Sequence, residues 1–173
     1  QPMPRGDRLL ILTNAGGPGI LAADTSEKLG IRLAETSPDL RARLAEMLPK
    51  TSSIGNPVDI VGDAQASRYR DALSAIREDP FVDSVLVLLT PQAMTEPEET
   101  ARAAVLALAG SGKTAFASFM GEASVKEARK VLSAGGIPQF PRLSAQGVVR
   151  GQRRRTARGS RQRRFIEGNA VIA

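Results

Sequence analysis

The groups best suited to chemistry in this 173-residue chain are backbone amides in two loops marked by glycine and proline. Asn14-Ala15-Gly16-Gly17-Pro18-Gly19 follows the apolar run Leu9-Leu10-Ile11-Leu12. Glycine lets a backbone come close to a bound group, and Pro18 presets a helical φ near a first turn. A helix starting here would turn free N–H groups and a positive dipole end toward an anion such as phosphate or carboxylate. A tight strand-to-helix turn that binds nothing fits the same residues. The spacing is not G-x-G-x-x-G, so a dinucleotide fingerprint is not supported. Thr90-Pro91-Gln92-Ala93-Met94-Thr95-Glu96 stands in the equivalent place after Val85-Leu86-Val87-Leu88-Leu89. Thr95 is the expected N-cap there, with Pro97 and Glu98 in the first turn. Side by side, the two starts would hold one phosphate between them.

Side chains offer less. Asp59 and Asp63 stand four apart in the polar loop Gly55-Asn56-Pro57-Val58-Asp59-Ile60-Val61-Gly62-Asp63. They fit either a Mg²⁺ site or, as aspartates in loops more often do, turns and helix caps. Gly110-Ser111-Gly112-Lys113-Thr114 ends like a phosphate-binding loop, but that motif needs glycine where Ala107 stands. It also precedes a strand, the reverse of the required order, so Lys113 is expected to be a solvated loop residue. The chain has no Cys, which excludes disulfides, thiolate zinc sites and cysteine nucleophiles. It has no His, which removes the usual base at neutral pH and any phosphohistidine of its own.

These loops need elements to aim them. Leu9 to Leu12 and Val85 to Leu89 are apolar runs of the kind buried on both faces of a parallel sheet. Ile31 to Ala34, Thr114 to Phe119 and Ile137 to Phe140 are expected as further strands. Helices are expected over Gly19–Leu29, ended by Gly30, and from Ser37-Pro38-Asp39 to near Pro49, with Ser37 as N-cap. Further helices are expected over Tyr69–Glu78, Glu98–Ala109 and Val125–Leu132, the last stopped by Gly135-Gly136. Strands alternating with helices indicate parallel βαβ units and an α/β fold with an open, doubly wound sheet. Ligands then sit beyond the carboxyl ends of the strands, where both loops fall.

The charge is unevenly placed. Seven arginines between Arg153 and Arg164, against Glu167, account for the whole net charge of +6. The body, residues 1–150, is balanced and gives no reason to expect nucleic acid. Residues 151–173 form an arginine-rich tail, expected to be disordered or poorly packed. Three readings of that tail stand open: a nucleic-acid contact, an acidic membrane contact, or the product of a shifted reading frame in GC-rich coding sequence, which we favour. No apolar run reaches about 18 residues and no leader pattern opens the chain, so a cytoplasmic location without membrane insertion is expected. Gln1 in place of Met fits a segment of a longer protein.

Four ordered motifs carry a resemblance. Leu12-Thr13-Asn14-Ala15-Gly16-Gly17-Pro18-Gly19-Ile20-Leu21-Ala22-Ala23-Asp24, Gly55 to Ala64, Leu88 to Thr95, and Phe119-Met120-Gly121 with Gly136-Ile137-Pro138 resemble the NDP-forming, chiefly ADP-forming, acetyl-CoA and acyl-CoA synthetases. The likeness covers roughly residues 7–146 and is to the ligase domain of that family. More remotely, it extends to the carboxy-terminal domain of the succinyl-CoA synthetase β subunit. It implies a flavodoxin-like, three-layer αβα fold. It also implies a ligase reaction in which acyl-CoA, phosphate and ADP interconvert with carboxylate, CoA and ATP through a phosphohistidine on another domain. Partners implied are a histidine-bearing CoA-ligase domain, an ATP-grasp domain, and a small acyl phosphate or carboxylate. CoA, ADP or ATP, and Mg would be used by the whole enzyme and held elsewhere. By position, Asn14, Ala15, Gly16, Gly17 and Gly19 with Gln92, Ala93 and Met94 would face the phosphoryl or acyl group, with no catalytic side chain and no metal ligand here. The alternative is a ligand-sensing, non-catalytic domain of the same type carried by protein lysine acetyltransferases.

Overall fold

The structure, a computed structural model, describes residues 5–140. The order is β1 Arg8–Thr13, α1 Gly16–Lys28, β2 Arg32–Leu33, α2 Pro38–Met47, β3 Val58–Asp59, α3 Ala66–Ile76, β4 Ser84–Leu89, α4 Pro97–Leu108, β5 Thr114–Phe119 and α5 Lys126–Ala134. A short 3₁₀ turn, Ala123–Val125, leads into α5. The named strands form one sheet in the order β2-β1-β4-β5, with β3 on the same side of β1 as β2, and every pairing between them is parallel. This is the expected open α/β architecture.

Side chains alternate across the sheet with the period of two that a strand imposes. Leu10, Leu12, Val85, Val87, Leu89, Ala117 and Phe119 pack with residues of α2, α3, α4 and α5. Leu9, Ile11, Leu86, Leu88 and Phe116 face the other way and pack with Ala22 and Ala23 of α1. The sheet is therefore covered on both faces, which explains why β1 and β4 read as unbroken apolar runs. Aromatics are scarce, so close approach of Ala-rich helices fills the space. Ala72, Ala75, Ala101 and Ala104 are all at or near zero exposure.

Helix ends follow their local chemistry. The Ser37 hydroxyl accepts from the Leu40 N–H at 3.0 Å, and Pro38 opens α2, as expected. Gly30 takes φ 70° after α1, and the Ile31 N–H returns to the Ser26 carbonyl at 2.9 Å. Only a residue tolerant of the left-handed region closes a helix in this way.

Four expectations are corrected. α1 begins at Gly16 and not at Gly19, so Gly16 and Gly17 also belong to the helix itself. The segment 31–34 contracts to Arg32–Leu33, because only these residues reach β1 in register. The segment 137–140 makes one bridge, Ala117 to Gln139, instead of a strand. The polar loop 55–63 holds a strand not foreseen from sequence: Val58–Asp59 pairs with Leu12 and Thr13.

β2 and β3 lie end to end along one edge of β1, and a side chain spans the gap between them. The Asn56 amide donates to the Leu9 carbonyl at 2.7 Å and to the Ala34 carbonyl at 3.0 Å. Its oxygen accepts from the Ile11 N–H at 3.0 Å. Asn56 thus replaces the missing stretch of strand.

Lys113 is also corrected. Instead of standing in solvent, its ammonium is buried and donates to the Asp79 carbonyl at 2.6 Å and the Val82 carbonyl at 2.7 Å. Burial lowers its pKa, partly offset by Asp79 and Asp83. It ties the start of β5 to the turn before β4. No helix among the described residues is long and apolar enough to cross a membrane. The arginine-rich tail and the 150/151 boundary lie outside the described residues.

Candidate functional site

The carboxyl ends of β1 and β4 are neighbours in the sheet, so the loops after them meet. Asn14 makes the junction. Its Nδ2 donates to the Thr90 carbonyl at 2.9 Å and its Oδ1 accepts from the Thr90 N–H at 2.8 Å. The side chain is 1% exposed and both ends of its amide are used. Below it, the Tyr69 hydroxyl donates to the Leu88 carbonyl at 2.7 Å. Burial pushes the Tyr69 phenol well above its ordinary pKa, Asp59 adds to the rise, and a hydrogen bond from the Asn14 backbone opposes it. Tyr69 is therefore a neutral structural donor that anchors both strands beneath the loops. No sequence signal marked it, because its partners are backbone groups.

The first loop is locked from within. The Thr13 hydroxyl accepts from the Ala15 N–H at 3.0 Å and donates to the Ala15 carbonyl at 2.9 Å. α1 then starts with no side-chain cap and no acid in its first turn. Gly16 and Gly17 are exposed. A Cβ at Gly17 would meet nothing within 4 Å, whereas one at Gly19 would lie 2.8 Å from Thr13 Cγ2 and 3.3 Å from Pro57 Cβ. Gly19 is thus a packing requirement, and Gly17 keeps an open approach to the helix start. Ala15, the N-cap, is half-buried.

The second loop exposes Gln92, Ala93 and Met94. Thr95 is not the N-cap expected of it. Its hydroxyl accepts from the Gln92 N–H at 3.0 Å and donates to the Gln92 carbonyl at 2.8 Å, closing the 92–95 turn. Glu96 is the N-cap residue, without a side-chain cap bond to its own helix. Its carboxylate instead accepts from the Ala66 N–H at the start of α3, at 3.1 Å. Glu98 and Glu99 fill the first turn of α4. Acids there already complement the dipole. Of the two helix starts, α1 is the one with no acid in its own first turn.

A third segment closes the edge. Asp59 Oδ2 lies 3.2 Å from the position of a Gly16 Cβ, and Gly62 abuts the Asn14 carbonyl and the Gln92 side chain. Asp59 Oδ1 accepts from the Val61 N–H at 2.9 Å, and Val61 takes φ 70°, a conformation rare for a β-branched residue. Asp63 pairs with Arg68, which holds its carboxyl below the usual range and also reaches the Ile60 carbonyl at 2.9 Å. Both aspartates thus fix turns. Among the described residues no group of three or more Asp or Glu side chains comes together.

A family model described as the Ligase-CoA domain matches residues 9–163, nearly the whole chain. The chain belongs to the Ligase-CoA domain family. The ADP-forming acetate–CoA ligase I of Archaeoglobus fulgidus is 42% identical to it over 136 residues, covering 79% of this chain and 19% of the relative. The 4-hydroxybutyrate–CoA ligase (ADP-forming) of Nitrosopumilus maritimus is 34% identical over 150 residues, covering 87% and 21%. Among solved structures, an acetyl-coenzyme A synthetase of Ca. Korarchaeum cryptofilum in complex with phosphate and ADP superposes with a TM-score of 0.79. It is 30% identical, and the match covers 93% of this chain and 37% of that one. The chain thus spans between about a fifth and two fifths of these relatives. Each Ligase-CoA relative named is a ligase or synthetase, and the acetyltransferase-linked sensing alternative finds no support among them.

Proposed function

We propose that this Ligase-CoA domain serves an ADP-forming acyl-CoA synthetase by presenting the start of α1, flanked by the 90–95 turn, to the phosphoryl or acyl group in transit. In that reaction a phosphate oxygen attacks the thioester carbon, the CoA thiolate leaves, and an acyl phosphate forms. A histidine of another domain then takes the phosphoryl group, releasing the carboxylate, and an ATP-grasp domain passes it to ADP. This chain has no His, so it supplies surroundings and not the phosphorylated residue. CoA, nucleotide and Mg belong to those other domains, and such substrates place the enzyme in the cytoplasm.

The observation that carries the reading is the start of α1, which has no side-chain cap and no acid in its own first turn, is open above Gly17 and is held beside the 90–95 turn through Asn14. Unpaired N–H groups and the helix dipole stabilise an anion there by about 0.3–1 kcal/mol when exposed, and by up to ~2 kcal/mol once a partner domain closes over them. Gly16 and Gly17 supply the N–H groups, Ala15 and Gly19 shape the turn, and Gln92, Ala93 and Met94 form the opposite wall.

The test is reconstitution of the whole enzyme from this chain and the histidine and ATP-grasp domains, following ATP formation from acetyl-CoA, ADP and phosphate. Gly17→Val adds bulk at a site with no neighbour within 4 Å, so turnover is expected to fall while folding is spared. Gln92→Ala is expected to weaken turnover as well. Wild-type domains that bind one another without making ATP would overturn the proposal, as would a Gly17→Val enzyme with full activity.

A further inference from the structure

Asn14 has the residue type of a ligand contact and the surroundings of a strut. It sits at the carboxyl end of β1, and the backbone it holds belongs to the end of β4, 76 residues away. Its main chain is tied to Tyr69 of α3. Its side chain is buried, with one partner for the amide nitrogen and one for the oxygen, both on Thr90. The two loops beyond it expose Gly16 and Gly17 on one side and Gln92, Ala93 and Met94 on the other. Tyr69 ties the strands beneath them and Gly62 packs beside both, but the Asn14 carboxamide is the side chain that joins the first loop directly to Thr90 at the base of the second.

We propose that Asn14 touches no ligand and is the positioning residue that fixes the start of α1 against the 90–95 turn. This rests on the functional reading above and reassigns the one candidate in the first loop whose side chain is buried. The same amide accounts for the choice of residue. Thr90 offers one N–H and one carbonyl, and a carboxamide, which accepts with its oxygen and donates with its nitrogen, satisfies both. A carboxylate accepts but cannot donate, and its charge would face the Thr90 carbonyl. A protonated carboxyl has one acceptor and one donor, and so restores the pair.

Asn14→Asp is thus a pH-dependent replica of the clamp, and Asn14→Ala a permanently broken one. Burial and the facing carbonyl raise the pKa of the introduced acid. The titratable groups around it are Tyr69 on α3 and Asp59 at the end of β3, and both remain in every variant, so ratios to wild type cancel them. Two measurements decide the matter. The first is urea unfolding of this chain without phosphate, from about pH 5 to 8.5. Asn14→Asp should approach wild-type stability at low pH and lose it as pH rises through the raised folded value, while the Asn14→Ala deficit stays flat. The second is turnover of the reconstituted enzyme at temperatures where circular dichroism shows each variant fully folded. The Asn14→Asp to wild-type ratio should climb on acidification with a one-proton slope, from a deficit of roughly tenfold to a hundredfold, the scale expected of a displaced reacting group. Full activity of the folded variants would make Asn14 merely structural and overturn the proposal. A flat stability ratio with raised KM for phosphate would make it a ligand contact, which also overturns it. Failure of the wild-type enzyme to turn over would instead strike the functional reading, and the unfolding arm would still test the clamp.

Discussion

Replacing Asn56 by Ala tests whether one side chain stands in for a length of strand. In the native chain its amide serves three backbone groups: the Ile11 N–H and the carbonyls of Leu9 and Ala34. The Leu9 carbonyl keeps a second donor, since the Ala34 N–H also reaches it at 2.8 Å. The Ile11 N–H and the Ala34 carbonyl lose the partner that Asn56 provides. An orphaned buried group costs about 1–3 kcal/mol and a lost bond with a remaining partner about 0.5–1 kcal/mol. Asn56 is half-buried, so water softens the upper limit. The sum is about 3 kcal/mol, against a total stability of about 5–15 kcal/mol.

For a chain of this size that is a fall of about 6–12 °C in Tm. The measurement is urea denaturation followed by circular dichroism, with wild type and Asn56→Ala compared at unchanged m-value. Asn56→Asp refines it, because the carboxylate still accepts from Ile11 but loses both donor contacts at neutral pH. It should fall between wild type and Ala only if the Ile11 bond matters most. A loss under about 1 kcal/mol for Asn56→Ala would show that water fills the gap and refute the account of β2 and β3 as one interrupted edge.

Two further substitutions probe charge. Arg8 donates to both oxygens of Asp83, at 2.8 and 3.0 Å, and this hydrogen bonding holds the Asp83 carboxyl below its ordinary pKa. The group therefore contributes stability above the unfolded-state value of about 3.9, and this is lost as pH falls through the lower folded value. Asp83→Asn should flatten that part of the acid limb in a pH series of unfolding midpoints; an unchanged limb would exclude Asp83 as its source. Asp59→Asn keeps the oxygen that accepts from Val61 and removes the charge beside Gly16. If phosphate binds at the start of α1, its KM should fall by up to roughly fivefold, equivalent to about 1 kcal/mol of repulsion across a few ångströms of water. A raised KM would mean that the carboxylate assists the ligand and would refute that electrostatic account.

How far the fold could be read from the chain depended on how local the stabilising interactions are. β1 and β4 were legible because burial on both faces demands an apolar residue at each position, a signal carried by consecutive letters. α2 was legible because Ser37 and Pro38 satisfy its first turn within four residues. β3 was not, since two residues have no period and Val58–Asp59 becomes a strand only through β1. Thr95 misled for a related reason: its hydroxyl had two uses within reach, and the 92–95 turn took it, while Glu96 turned away from its own helix to serve α3. Lys113 misled because its burial is set by carbonyls more than thirty positions away.

The candidate site divides along the same line. Its glycines announced themselves, yet sequence could not separate Gly17, which has open space, from Gly19, which fits against Thr13 and Pro57. Only geometry gives the two different meanings. Nor could sequence show that Asn14 and Thr90 are hydrogen-bonded, although both residues stood in loops already singled out. A site made of backbone groups needs each loop held by something else, and here those holders are polar side chains turned inward: Asn14 on Thr90, Thr13 on Ala15, Thr95 on Gln92, Asp59 on Val61. Each would pass for a ligand contact in a linear reading. The inward use of these polar residues leaves Gly16 and Gly17 exposed beside Gln92, Ala93 and Met94, so the binding proposed for these loops would rest on how rigidly they are braced.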